Sequence, residues 1–157
     1  MRKIFVLTLA IFILLSFGLT GCSEEDPPPQ SMTFVDDPHD TTKEFTIFEN
    51  LKFKVKFVAN SEFLEMFSFM DIGDSVTGKV KETKNKWKDD VIEGKAQQMK
   101  SNNEDLTVIL NELGSMDFKI EYMKQNDTIV AIKVEFPGEG ELDKISNDLM
   151  GGTYTIK

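Results

Sequence analysis

The sequence predicts an α+β domain of two layers, a largely antiparallel sheet with helices packed on one face. Three observations carry that expectation. Leu51, Phe53, Val55 and Phe57 alternate strictly with Lys52, Lys54 and Lys56, the period of two of a strand with one buried and one wet face. Phe118, Ile120 and Tyr122 alternate with Lys119 and Glu121, and beyond Gln125, Asn126 and Asp127 an apolar run over 129–136 returns as the second arm of a hairpin. Helical spacing lies between these strands, at Phe63, Met66, Phe67 and Met70 and again at Leu106, Ile109, Leu110 and Leu113. Lysine on the outer faces of the strands implies a sheet covered on one side only.

Taken in order, the chain opens on an export segment. Arg2 and Lys3 precede an apolar stretch over 4–17, and residues 18–21 lighten toward small side chains, as in a secretory signal. The apolar run falls short of the roughly 20 residues of a bilayer span, and no basic stop-transfer flank follows it.

Leu19-Thr20-Gly21-Cys22 closes the segment with the only cysteine of the chain. It resembles the lipobox of bacterial prolipoproteins: a branched apolar residue, two small ones, then the cysteine. That resemblance implies cleavage of residues 1–21, acylation of Cys22 and attachment to a membrane through it, more firmly than the marginal hold of a single acyl chain. Ser23, Glu24, Glu25 and Asp26 resemble the surface-export signal of Bacteroidetes lipoproteins, which implies a domain facing outward from the cell membrane or outer membrane.

Cleavage removes two cations and no acid from a chain whose formal net charge is already −9. Such a balance repels nucleic acid and anionic surfaces at long range, so neither nucleic acid nor nucleotide is an expected partner. Residues 22–43 read as a lipidated acidic and Pro-rich tether. Pro27, Pro28 and Pro29 stiffen it, and a polar Asp- and Thr-rich stretch follows, with a short strand over 32–35. His39, the sole histidine, sits among Asp36, Asp37, Pro38 and Asp40. The ligand types suit a metal, but one imidazole on a flexible segment preorganises no coordination shell. It is read as a solvated linker residue, and no metal or cofactor is expected.

The globular domain spans 44–157. Phe45 and Ile47 begin a hairpin that turns at Glu49 and Asn50 into the lysine-faced strand. Asn60 or Ser61 then caps a helix. Leu64, Phe69 and Ile72 leave that helix little polar face, so Phe63, Phe67 and Phe69 are either core or an adhesive surface, and with Trp87 they make the candidate binding residues. Residues 80–101 read as one amphipathic helix, with Trp87, Val91 and Ile92 at helical spacing. Trp87 among Lys79, Lys81, Lys84, Lys86 and Lys88 has the composition of a polyanion site. The acidic chain as a whole, with Asp89, Asp90 and Glu93 close by, favours a solvated helix face with a packed Trp.

Asn102 and Asn103 break the pattern before a helix over 104–113, which Gly114 closes at C′. The hairpin over 118–136 ends at Pro137, Gly138, Glu139 and Gly140, a turn and not a dinucleotide loop. A last helix over 141–150 leads through Gly151 and Gly152 into a terminal strand over 153–157.

Catalytic motifs are thin. Residues 73–79 match the first seven positions of a phosphate-binding P-loop, but the eighth, which must be Ser or Thr, is Val80. Triad hydrolysis needs a histidine on a rigid element, and His39 lies in the tether; a lipidated Cys22 is no nucleophile. Paired carboxylates stay open because acids are abundant, although no pair stands apart in an apolar setting. Asp40-Thr41-Thr42, Asp74-Ser75-Val76 and Asp127-Thr128-Ile129 resemble the O-glycosylation signal of exported Bacteroidetes proteins. The function expected is a lipid-anchored envelope lipoprotein with a non-catalytic domain that binds a protein or glycan. The alternatives are an envelope enzyme using paired carboxylates and a structural or assembly factor.

Overall fold

A computed structural model describes residues 30–86 and 90–157, with the backbone alone for 82–86. Eight strands follow one another: β1 (Ser31–Val35), β2 (Lys43–Phe48), β3 (Lys52–Phe57), β4 (Ser75–Lys86), β5 (Val91–Ser101), β6 (Met116–Gln125), β7 (Thr128–Glu135) and β8 (Gly152–Ile156). Each pairs antiparallel with the next, and β8 returns to β1, Phe34 opposite Ile156, to close a barrel. Closure gives every one of the eight strands a neighbour on both sides, so the barrel has no free edge strand among the described residues.

The expected two-layer α+β domain is therefore wrong: no helix layer covers a sheet face, because the sheet covers itself. The largest local correction lies at 80–101, read as one helix and found as β4 and β5. Three inward positions of these strands are held by small residues, each opposite a large one on a neighbouring strand: Gly78 opposite Phe53, Gly94 opposite Phe118 and Ala96 opposite Met116. They interrupt the buried series of Val76, Val80, Ile92 and Met99. Glycine and alanine hide the apolar half of a period of two, so only the helical spacing of Trp87, Val91 and Ile92 remained visible. Bulges on both strands, one at Gln98 in the left-handed region (φ 55°), bend the long hairpin around the barrel.

Other elements form where their residues placed them. Asn126 and Asp127 both take positive φ, as a two-residue turn joining β6 to β7 requires. The helices are α1 (Glu62–Met66), α2 (Glu104–Leu113) and α3 (Glu141–Met150). Ser61 caps α1 by accepting from the Leu64 amide, Asn103 caps α2 through the Leu106 amide, and Gly114 ends α2 at φ 65°. Helix α1 is shorter than the sequence spacing implied. Phe69 and Met70 lie beyond it in irregular chain.

Alternation of strand direction sorts the connections. The three helices lie in the β3–β4, β5–β6 and β7–β8 links, all at one end of the barrel. The opposite end holds the tight β2–β3 and β6–β7 turns and the start of β1. Phe45, Phe53, Phe57, Phe118, Ile120, Ile132 and Tyr154 fill the interior, while Lys52, Lys54, Lys79, Lys95 and Lys100 face out to solvent. This polarity is the inverse of a lipid-spanning barrel, which turns its apolar residues outward.

Candidate functional site

An eight-stranded barrel is just wide enough to be filled by side chains or to hold one small ligand. Here aromatic rings cross it in continuous contact. Tyr154 meets Phe45 at 5.4 Å between centroids, Phe45 stacks on Phe53 at 5.9 Å, Phe53 on Phe118 at 5.3 Å, and Phe118 meets Phe136 edge-on at 5.3 Å. Such pairs prefer these offset and edge-on arrangements, and each adds about 0.5–1.5 kcal/mol beyond area burial. With the interior occupied by its own rings, the surfaces that can meet a partner lie on the outside.

The first of them is an aromatic cap over the helical end. Phe63, Phe67 and Phe69, singled out from the sequence, are brought together in a ladder. Phe57 in the core stacks on Phe63, which meets Phe67 at 4.8 Å, which meets Phe69 at 5.6 Å. All three are half-buried and lean on the core, whereas Met66 and Ile72 beside them are 70% and 60% exposed. Asn103 holds the cap in place: its Nδ2 donates to the Phe69 carbonyl at 2.6 Å and to Asp74 Oδ2 at 2.8 Å. Asn102 adds a bond from the Ser75 amide to its Oδ1 at 2.7 Å.

The second surface escaped sequence reasoning. On the outer face of β3, β4 and β5, beside α2, lies an open groove of about 790 Å³. Cross-strand register builds it. Lys52 is opposite Lys79, which is opposite Gln97; Lys54 is opposite Thr77, which is opposite Lys100. Asn111 of α2 and the half-buried ring of Phe48 form its walls, the buried apolar side chains of Phe53, Met99 and Leu110 form its floor, and among the described residues no acid lines it. Five lysines elsewhere are answered: Lys95 pairs with Asp117 at 2.7 Å, Lys133 with Glu135 at 2.6 Å, and Lys119, Lys124 and Lys157 with Glu121, Asp90 and Glu44. Among the described residues, no carboxylate reaches Lys52, Lys54, Lys79 or Lys100. The strand alternation of Lys52 and Lys54 was legible, but the register that sets Lys79 and Lys100 beside them was not.

A third cluster serves the fold. The Asp36 carboxylate accepts from the amides of Asp37, Thr42 and Lys43 at 2.9–3.0 Å and from the Thr42 hydroxyl, tying off the β1–β2 loop that carries His39. Burial alone would raise its pKa, but these donors outweigh burial and hold it below the ordinary value. Lys43 lies 5.8 Å over the ring of Tyr154. Burial lowers the Lys43 pKa, opposed by the charges of Asp36 and Asp148.

Cys22 and Trp87 lie outside the described residues. The P-loop-like stretch runs from the turn at Gly73 into the extended strand β4, with no helix following it to receive a phosphate. No family model, curated protein or solved structure matches the chain.

Proposed function

We propose that this chain is a lipid-anchored envelope lipoprotein whose barrel is a rigid, non-catalytic binding module for a protein or glycan. The observation that carries this reading is the aromatic stack from Tyr154 to Phe136, which fills the barrel and leaves recognition to its outer surface. The anchor rests on the resemblance of Leu19-Thr20-Gly21-Cys22 to a lipobox. That β1 starts at the tight-turn end, opposite the Phe63–Phe67–Phe69 cap, supports a reading in which the anchored chain enters the barrel there and the cap stays open to a partner.

Fractionation of cells carrying the natural chain and the Cys22→Ser variant tests the anchor. The natural chain is expected with the membrane and the variant in the soluble fraction; a variant that still sediments with lipid overturns it. Crosslinking on intact cells tests the binding role. A specific adduct to an envelope protein or glycan is expected, and none at any outer-surface position contradicts it.

A further inference from the structure

We propose that the lysine groove on β3, β4 and β5 is a binding site for an acidic polysaccharide, recognised through its carboxylate or sulfate groups. The proposal rests on the binding-module reading and names its site and ligand class.

Charge distribution is the first argument. The chain has 27 acids against 18 basic residues, enough to neutralise every lysine. Lys95, Lys119, Lys124, Lys133 and Lys157 are paired, whereas among the described residues Lys56, Lys81 and Lys144 stand singly in solvent. The groove is distinguished by gathering four unpaired lysines of the described residues, Lys52, Lys54, Lys79 and Lys100, into one concavity. Lys52 and Lys79 stand directly opposite across the ladder, where Cβ atoms approach to about 5 Å and like charges repel. Glu104, Asp105 and Glu112 lie on the neighbouring helix, yet none of them lines the groove. An anion laid between the ammonium groups removes that repulsion, so the charge that disfavours the empty barrel favours the complex. Ligand attraction is local: it works over the Debye length of about 8 Å despite the acidity of the whole.

Shape and lining choose among anions. The site is concave, between a helix and a curved sheet, which admits a chain and not a flat bilayer. Thr77, Gln97 and Asn111 interleave hydroxyl and amide groups with the lysines, partners suited to sugar hydroxyls. Phe48 at the edge offers a ring to the C–H face of a sugar. Lysines along β3 repeat every second residue, about 7 Å, so a polymer with repeating charge meets several at once.

The test uses the purified full chain with polygalacturonate as probe, and dextran, phosphatidylglycerol vesicles and single-stranded DNA as comparators. Binding to polygalacturonate is expected, weakening as salt rises, with none to dextran. Lys52→Glu with Lys79→Glu should lower affinity about ten-fold or more, while Lys133→Glu with Lys144→Glu, the same change in net charge elsewhere, should leave it within about two-fold. Circular dichroism establishes that both double variants are folded; should the groove pair fail to fold, Lys54→Gln with Lys100→Gln takes its place. Equal loss in both pairs, no binding to polygalacturonate, or tighter binding to vesicles or DNA overturns the proposal. No polysaccharide binding with a protein adduct retained on cells removes the ligand assignment alone, whereas absence of both removes the binding role too.

Discussion

Lys52 and Lys79 face one another across the β3–β4 ladder on the outside of the barrel, and among the described residues no carboxylate pairs with either. Facing like charges cost stability, so Lys79→Gln is expected to raise stability by about 0.2–1 kcal/mol at low salt. The gain should shrink as salt rises to screen the pair. Urea unfolding at two ionic strengths measures it, and a loss of stability would show that Lys79 has a stabilising partner.

Gly78 lies beneath the ring of Phe53, and a Cβ there would stand 2.5 Å from Phe53 Cζ and 3.2 Å from Met99 Cγ. Phe53 is itself stacked against Phe45 and Phe118, so moving aside disturbs both contacts. Gly78→Ala should therefore destabilise the barrel by about 1–3 kcal/mol, as overpacking does. Ser75→Ala, on the same strand, supplies a comparison for the denaturation midpoint.

The two tyrosines of the chain, Tyr122 and Tyr154, are both buried, and burial pushes both phenols well above their ordinary value of 10.0; the charge of Asp36 adds to the shift at Tyr154. A raised folded value means that their stability is complete below pH 10 and is lost as pH climbs from there through the folded values. Phenolate absorbance should therefore stay flat through about pH 10 in the folded protein and rise together with loss of circular dichroism. An ordinary transition near 10 with the fold intact would contradict the closed interior.

Asp36 is the acid-side counterpart. Its folded pKa lies below 3.8, so its contribution is present above 3.8 and is lost as pH falls through the lower folded value. Asp36→Ala should cost about 1 kcal/mol near neutral pH, a figure held down by solvent around the partly exposed carboxylate. The gap between variant and natural chain, read from urea midpoints, should narrow in strong acid.

Much of the strand content was legible, and the closure was not. Phe53, Val55 and Phe57, like Phe118, Ile120 and Tyr122, carry a period of two because large apolar side chains fill every inward position. Gly78, Gly94 and Ala96 carry none: at Gly78 the Phe53 ring occupies the space a side chain would take, and Gly94 and Ala96 lie opposite the large Phe118 and Met116, so β4 and β5 read as a helix. Without β4 and β5 the remaining strands cannot close, which is why a sheet with one covered face was the natural expectation. Of the candidate site, the sequence brought Phe63, Phe67 and Phe69 into one segment. The groove needed the register of three strands: Lys52, Lys79 and Gln97 are far apart in the chain and adjacent only after pairing.

Amide chemical-shift mapping tests the central claim most directly, that the barrel binds on its outer face through this groove. The isotope-labelled Cys22→Ser chain is titrated with oligogalacturonate. Shifts are expected to concentrate at Thr77, Lys79, Gln97, Lys100 and Asn111, with Ile132 and Tyr154 in the interior unmoved. Shifts centred on interior residues, or on Phe63, Phe67 and Phe69 alone, would contradict the account.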